Sequence, residues 1–327
     1  MASSDDELAF SGDPVSGFCA QLQAMRRMPR AMDSSGCGLS PNTDMTVWLT
    51  SCMLYGMSDS VRSIEVDGAR LVVQSSGGDA AAGPGGAHVP VVLLHGFGDD
   101  RRTWDYLAGE LSRTRHVVRH DLRGFGESTE YGQVRFRHAR DFLVVLNSLG
   151  IAQCDLVGVS MGGGIALNCA LDFPECVRRL VLISPALVGW QWSDAWRSLW
   201  VRIREAAATG DIAQARELWW KHPVFSTTRA HQQAADILRA SIARYSGKQW
   251  LRDNEERALP DLDRVHQLRA PTLLITGRHD VEDFRLMANL LEAAAAGITR
   301  IDLEGAGHLP HLEYPVQVLG QIRAFLG

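Results

Sequence analysis

The sequence predicts an α/β protein: a mostly parallel sheet with helices on both faces and a helical cap inserted between two strands. Three observations carry that expectation. From residue 61 onward, short apolar runs alternate with segments whose apolar residues recur at helical spacing. Runs such as Val91-Val-Leu-Leu94 and Leu180-Val-Leu-Ile183 are apolar at successive positions, as a strand covered on both faces must be. One long stretch, 188–268, breaks the alternation and holds seven of the nine tryptophans.

Residues 1–60 carry turn formers, scattered Met and Cys, and no sustained period. They read as an N-terminal extension of unknown role, first of all a variable tail, with packing of the Met45–Met57 stretch on the main domain as the alternative. Val61–Val66 and Ala69–Gln74 then form a hairpin around Asp67-Gly68, an Asp-Gly turn signal. After a Gly/Ala-rich loop, strands are expected at Val89–Leu94, His116–His120, Cys154–Val159, Arg179–Ile183, Thr272–Thr276 and Thr299–Leu303. Helices are expected at Thr103–Ser112, Phe136–Leu149, Met161–Leu171, Phe284–Ala296 and Val316–Leu326. The core is therefore assigned to 61–187 and 269–327, and the cap, or lid, to 188–268. Cys154 and Cys169 fall in apolar segments that read as core.

Composition excludes several functions. The 33 basic and 38 acidic side chains of the 327 residues leave a net charge of −5, no footprint for nucleic acid or anionic lipid. The six cysteines form no CxxC pair, so a zinc site lacks its ligand spacing. There is no Walker-type loop, Rossmann fingerprint or H-E-x-x-H, so no metal and no cofactor is expected. The acidic start Met1-Ala-Ser-Ser-Asp-Asp-Glu is unlike a signal peptide, and no apolar run approaches the ~18 residues of a membrane span. A cytoplasmic protein without a transmembrane segment is expected; the oligomeric state is not legible.

The chemistry centres on Gly158-Val-Ser-Met-Gly162, a G-x-S-x-G with a strand running into it and a helix leaving it. A sharp strand-to-helix turn lifts the serine hydroxyl above the sheet, at the positive end of the helix. Glycines on either side let neighbouring elements approach without a Cβ clash.

In this context the chain resembles the α/β-hydrolase superfamily over about residues 61–327. Four motifs match in the family's order: His95-Gly-Phe-Gly98, Asp121-Leu-Arg-Gly-Phe-Gly-Glu-Ser128, the Ser160 elbow and Gly305-Ala-Gly-His308. A serine hydroxyl needs a base, and His308 matches the family's histidine motif, with nearby His311 its main rival. The base needs a carboxylate to fix its tautomer. By resemblance this is Asp280, ending Thr276-Gly-Arg-His-Asp280, with Glu282 and Asp283 as alternatives. Ser184-Pro-Ala-Leu-Val-Gly-Trp190 offers no carboxylate at the other position relatives use. The order Ser160, Asp280, His308 is that of the family. The resemblance also implies an oxyanion hole from the backbone N–H groups of Phe97 and Met161. His95 reads as a loop holder, and Asp121, Arg123 and Ser128 as a turn and salt-bridge motif.

Within the family, a serine at the elbow argues against haloalkane and epoxide opening, which use an aspartate there. Relatives that cleave C–C bonds of ring-fission products commonly carry Trp after the histidine, where this chain has Leu309. The resemblance therefore points to a serine hydrolase of the esterase or lactonase type, cleaving a carboxylic ester, lactone or thioester through an acyl-enzyme. The alternatives are a C–C bond hydrolase of diketone acids, a biosynthetic lyase or cyclase using the same triad, and a non-catalytic binding protein. The expected partner is a small apolar or aromatic ester-like molecule. Trp192, Trp196 and Trp200 are spaced i, i+4, i+8, read as the buried face of the cap. Trp190 and Trp192, next to the strand end, are the substrate-binding candidates. Arg197, Arg202 and Arg204 read as a solvated helix face.

Overall fold

The protein is described by a computed structural model covering residues 59–77, 89–130, 134–251, 254–256 and 258–327. The expectations for residues 1–58, the Met45–Met57 stretch included, and for most of the Gly/Ala-rich loop lie outside these residues.

The expected hairpin is present: β1 (Ser60–Val66) pairs antiparallel with β2 (Ala69–Ser76) around Gly68, whose φ of 67° fits the tight turn. The chain continues through β3 (Val91–Leu94), a 3₁₀ turn, α1 (Asp105–Leu111), β4 (Val117–His120), β5 (Thr129–Glu130) and α2 (His138–Ser148). Then come β6 (Cys154–Val159), α3 (Met161–Asp172) and β7 (Val177–Ile183). Strand order is β1-β2-β4-β3-β6-β7-β8-β9, with β8 at Thr272–Gly277 and β9 at Ile298–Leu303. Along the sheet from β4 to β9 every neighbouring pair is parallel; the antiparallel pairs are those of β2 with β1, β4 and the short β5.

Every residue of β3, β4, β6 and β8 is buried. Because side chains alternate between the faces of a strand, this requires helices on both sides of the sheet. Cys154 and Cys169 are both fully buried, as their apolar surroundings implied. Two elements went unread in the sequence. The two-residue β5 pairs with β2, and a short helix at Pro310–Glu313 follows β9.

Between β7 and β8 the chain is helical: α4 (Asp194–Ala208), α5 (Ile212–Trp220), α6 (Gln232–Arg244), α7 (Lys248–Leu251) and α8 (Asp261–Arg264). α9 (Glu282–Ala294) follows β8, and α10 (Pro310–Glu313) and α11 (Pro315–Leu326) end the chain. Two buried carboxylates tie this helical segment to the sheet layers. Asp261 accepts from Val188 N–H at 2.7 Å and from Asn168 Nδ2 of α3 at 2.9 Å. Asp283, in the first turn of α9, accepts from Trp190 Nε1 at 2.9 Å, Ser193 N–H at 3.0 Å and Ser193 Oγ at 2.7 Å.

Candidate active site

Ser160 is the single residue between β6 and α3, and its backbone is at φ 54°, ψ −120°. A non-glycine residue at positive φ is strained, so its neighbours must hold it there. They do: Ser160 N–H donates to Ile183 O at 2.9 Å, and Ser160 O accepts from Gly164 N–H and Ala186 N–H. The glycines of the motif are a steric requirement. A Cβ on Gly158 would stand 2.2 Å from Gly162 O, and one on Gly162 would stand 2.4 Å from Leu94 O.

His308 lies in the loop after β9 and is 2% exposed. Its Nε2 is 2.9 Å from Ser160 Oγ, and its Nδ1 is 2.9 Å from Asp280 Oδ2. A carboxylate only accepts, so Nδ1 carries the proton and donates to Asp280, while Nε2 accepts from the serine O–H. Asp280 is held in turn by Val281 N–H, which donates to Oδ1 at 2.7 Å. The His308 loop is pinned through Glu313, which accepts from Gly307 N–H and from Thr228 Oγ1 of the helical segment.

The rival residues are placed elsewhere. His311 is buried with its ring tilted against Trp104, 4.6 Å between centroids, and neither ring nitrogen has a partner among the described residues. Burial, then the nearby His308, pushes its pKa down to about 3. Asp283 serves as the tether already described, and Glu282 is exposed at the start of α9. His95 holds two loops together: Leu122 N–H donates to its Nε2 at 2.9 Å, and its Nδ1 lies 2.8 Å from Gly96 O. Asp121, Arg123 and Ser128 form the expected structural knot. Arg123 grips Asp141 with two bonds of 2.9 and 2.8 Å, Ser128 Oγ donates to Asp121 O at 2.7 Å, and Asp121 accepts from Glu127 N–H.

Above Ser160 and His308 lies a cavity of about 310 Å³, also lined by Phe97, Met161, Leu309 and Phe284. Among the described residues no backbone acceptor takes the N–H of Phe97 or of Met161, and both residues border this space. The roof extends the sequence expectation. Trp192, Trp196 and Trp200 are half-buried against Phe97, Phe284 and Trp219, as a buried face would be, and the same stripe also lines the cavity, joined by Trp219 of α5. Trp192 and Trp196 stack with 4.3 Å between centroids. Trp190 is not among the lining residues, because its indole N–H is engaged by Asp283. Arg197 borders the cavity while pairing with Asp194; Arg202 and Arg204 are exposed as expected. The sequence reading also missed Asp99, which lines the cavity; its one signal was a carboxylate directly after His95-Gly-Phe-Gly98.

The sheet order and the hydrogen-bonded Ser–His–Asp line beneath a covered cavity are those of an α/β hydrolase. Residues 91–321, more than half of the chain, match the family model described as "Alpha/beta hydrolase family", and the chain belongs to that family. A 2-hydroxymuconate semialdehyde hydrolase of Pseudomonas sp. (strain CF600) is 38% identical over 123 residues, 35% of this chain and 43% of that protein. A pyrrolizixenacetamide deacetylase of Xenorhabdus hominickii is 27% identical over 253 residues, 75% of this chain and 91% of that protein. Among solved structures, the enol-lactonase from Burkholderia xenovorans LB400 superposes with a TM-score of 0.67 at 21% identity, over 81% of this chain and 99% of that one. That likeness is one of fold. Among the described residues no helix is long and apolar enough to cross a membrane.

Proposed function

We propose that the chain is a serine hydrolase that cleaves a carboxylic ester, lactone or thioester through an acyl-enzyme. One observation carries this reading: Ser160, His308 and Asp280 form a continuous hydrogen-bonded line on the floor of an apolar cavity. Ser160 Oγ attacks the carbonyl carbon as His308 Nε2 takes its proton. Asp280 keeps the other ring nitrogen protonated and stabilises the imidazolium. The Phe97 and Met161 N–H groups receive the oxyanion, each such donor being worth about 2.7–4 kcal/mol of barrier. His308 then protonates the leaving alcohol or thiol, and a water activated by the same histidine releases the acid and restores Ser160. Residues 188–268 act as a cap whose Trp192 contacts the substrate, and the chemistry asks for no group outside the chain.

A second reading, C–C bond hydrolysis, draws support from the Pseudomonas hydrolase at 38% identity. Leu309 after the histidine speaks against it.

Stopped-flow turnover of p-nitrophenyl butanoate and octanoate by wild type and Ser160→Ala tests both. A p-nitrophenol burst that Ser160→Ala abolishes, with kcat/KM down roughly four orders of magnitude, is expected. Fluorophosphonate labelling of Ser160 without ester turnover, together with cleavage of a vinylogous 1,5-diketone acid, would replace the ester reading with the second. An unlabelled wild type would overturn the active serine.

A further inference from the structure

Asp99 is a carboxyl group in a largely aromatic cavity, and the catalytic steps make no use of it. It is 3% exposed, lines the cavity, and its Oδ1 has no hydrogen-bond partner among the described residues. Its neighbour Asp100 is fully employed, accepting from Arg102 N–H at 2.9 Å and from Arg244 Nε at 2.7 Å. The Ser241 side chain supports the carboxyl from the protein side, which leaves Oδ1 the atom with no partner among the described residues; a buried polar atom left unpaired costs stability and calls for an explanation.

Its position relative to the nucleophile is set by Gly96. A Cβ built on Gly96 would lie 3.3 Å from Asp99 Oδ2 and 3.5 Å from Ser160 Cβ. The carboxyl and the serine thus flank the same glycine. The 95–99 loop places Phe97 and the acid on the wall of the same cavity as Ser160. Trp219 Nε1, also buried in the cavity wall and without a partner among the described residues, adds a second polar point among the rings.

We propose that Asp99 is a specificity-determining residue that hydrogen-bonds a hydroxyl or keto oxygen carried one or two carbons from the scissile carbonyl. The preferred acyl group is then apolar or aromatic at its far end, against the tryptophans, and oxygenated next to the carbonyl. The inference rests on the ester reading above and narrows its substrate class. Burial, and next the charge of Asp100, pushes the pKa of Asp99 up to about 8 against the pull of Arg244 and Ser241. Near neutral pH the group therefore holds its proton. A carboxylic acid both donates and accepts, which matches a hydroxyl, and donates, which matches a ketone.

Methyl 3-hydroxy-3-phenylpropanoate, methyl 2-hydroxy-3-phenylpropanoate and unsubstituted methyl 3-phenylpropanoate test this on wild type, Asp99→Asn and Asp99→Leu. One of the oxygenated esters is expected to exceed the plain ester by about tenfold in kcat/KM for the wild type, the worth of one well-made hydrogen bond. Asp99→Leu brings the ratio to about one, and Asp99→Asn keeps most of it, because an amide also donates and accepts. A merely structural role would lower all three esters together. The same compounds are titrated by tryptophan fluorescence into Ser160→Ala with and without Asp99→Leu, which reads binding without turnover. A binding preference that Asp99→Leu removes, in a protein that cleaves no ester, keeps this inference and overturns the ester reading. Equal kcat/KM, or without turnover equal affinity, for all three compounds in the Asp99 protein overturns the inference, and so does a preference that survives Asp99→Leu. Should Asp99→Leu not fold, Asp99→Ala takes its place.

Discussion

At the scale of single residues, the assignment that the sequence left most open was the acid of the triad. Asp280, Glu282 and Asp283 lie within four positions, and spacing cannot separate them. The contacts separate them: Asp280 Oδ2 faces His308 Nδ1 at 2.9 Å, whereas Asp283 faces away to Trp190 and Ser193. Asp280→Asn offers Nδ1 an amide, which allows the wrong imidazole tautomer to face Ser160. We expect kcat to fall by roughly four orders of magnitude with KM little changed, as the loss of an orienting carboxylate does elsewhere. Steady-state kinetics on a hydrolysed p-nitrophenyl ester check it; a loss under tenfold would mean that another group orients the histidine. Ser160 and His308 were legible because each sits in a glycine-framed motif whose backbone demands are local. Asp99 was not, since nothing in Gly98-Asp-Asp-Arg tells which of two adjacent carboxylates pairs with arginine and which lies buried against the cavity.

At the scale of elements, strands and core helices were readable to within two residues, because full burial on both sheet faces forces unbroken apolar runs such as Leu180-Val-Leu-Ile183. What periodicity does not carry is orientation. Trp192, Trp196 and Trp200 mark one stripe of α4, but only the placement of that helix over Ser160 decides whether the stripe meets protein or open space. The placement comes from contacts remote in sequence, Asp283 to Trp190 and Ser193, Asp261 to Val188 and Asn168. Asp283→Ala removes all three bonds that fix the entry into α4. We expect a loss of about 1–3 kcal/mol in stability, hydrogen bonds to a charged acceptor being among the stronger ones. We also expect a severalfold rise in KM with a smaller change in kcat, as the aromatic roof loosens while the triad stays in place. Urea unfolding together with steady-state kinetics checks both; an unchanged KM would mean that α4 is held without this tether.

At the scale of the whole molecule, the buried titratable groups set a pH profile of stability whose two limbs have different owners. Burial chiefly raises Asp99 to about 8 and Asp261 to about 6. In the unfolded chain these acids lose their protons near pH 4, so above that pH the folded state binds more protons and stability falls as pH rises. The fall due to Asp261 ends near pH 6, and the fall due to Asp99 continues to about 8. The histidines act in the opposite sense. Burial lowers His120 and His311 to about 3 and His222 to about 4, and lowers His95 as well. As pH drops below about 6.5 the unfolded chain takes up these protons first, so stability is lost toward acid. Between about pH 4 and 6.5 His120, His222 and His311 outnumber the two acids, helped by His95, and the net slope is positive; as the unfolded histidines finish losing their protons near pH 7, Asp99 prevails and the slope turns negative. The melting temperature should therefore peak near pH 7, where the protons still held by the unfolded chain's histidines no longer outweigh the one on Asp99, and decline toward pH 8. In Asp99→Asn, which carries no proton to lose, the alkaline decline should flatten and the acid limb should steepen, because Asp99 opposes the histidines from about pH 4 upward. Differential scanning calorimetry of both proteins from pH 4 to 9 checks this, and an alkaline decline of equal slope in the variant would move the responsibility away from Asp99.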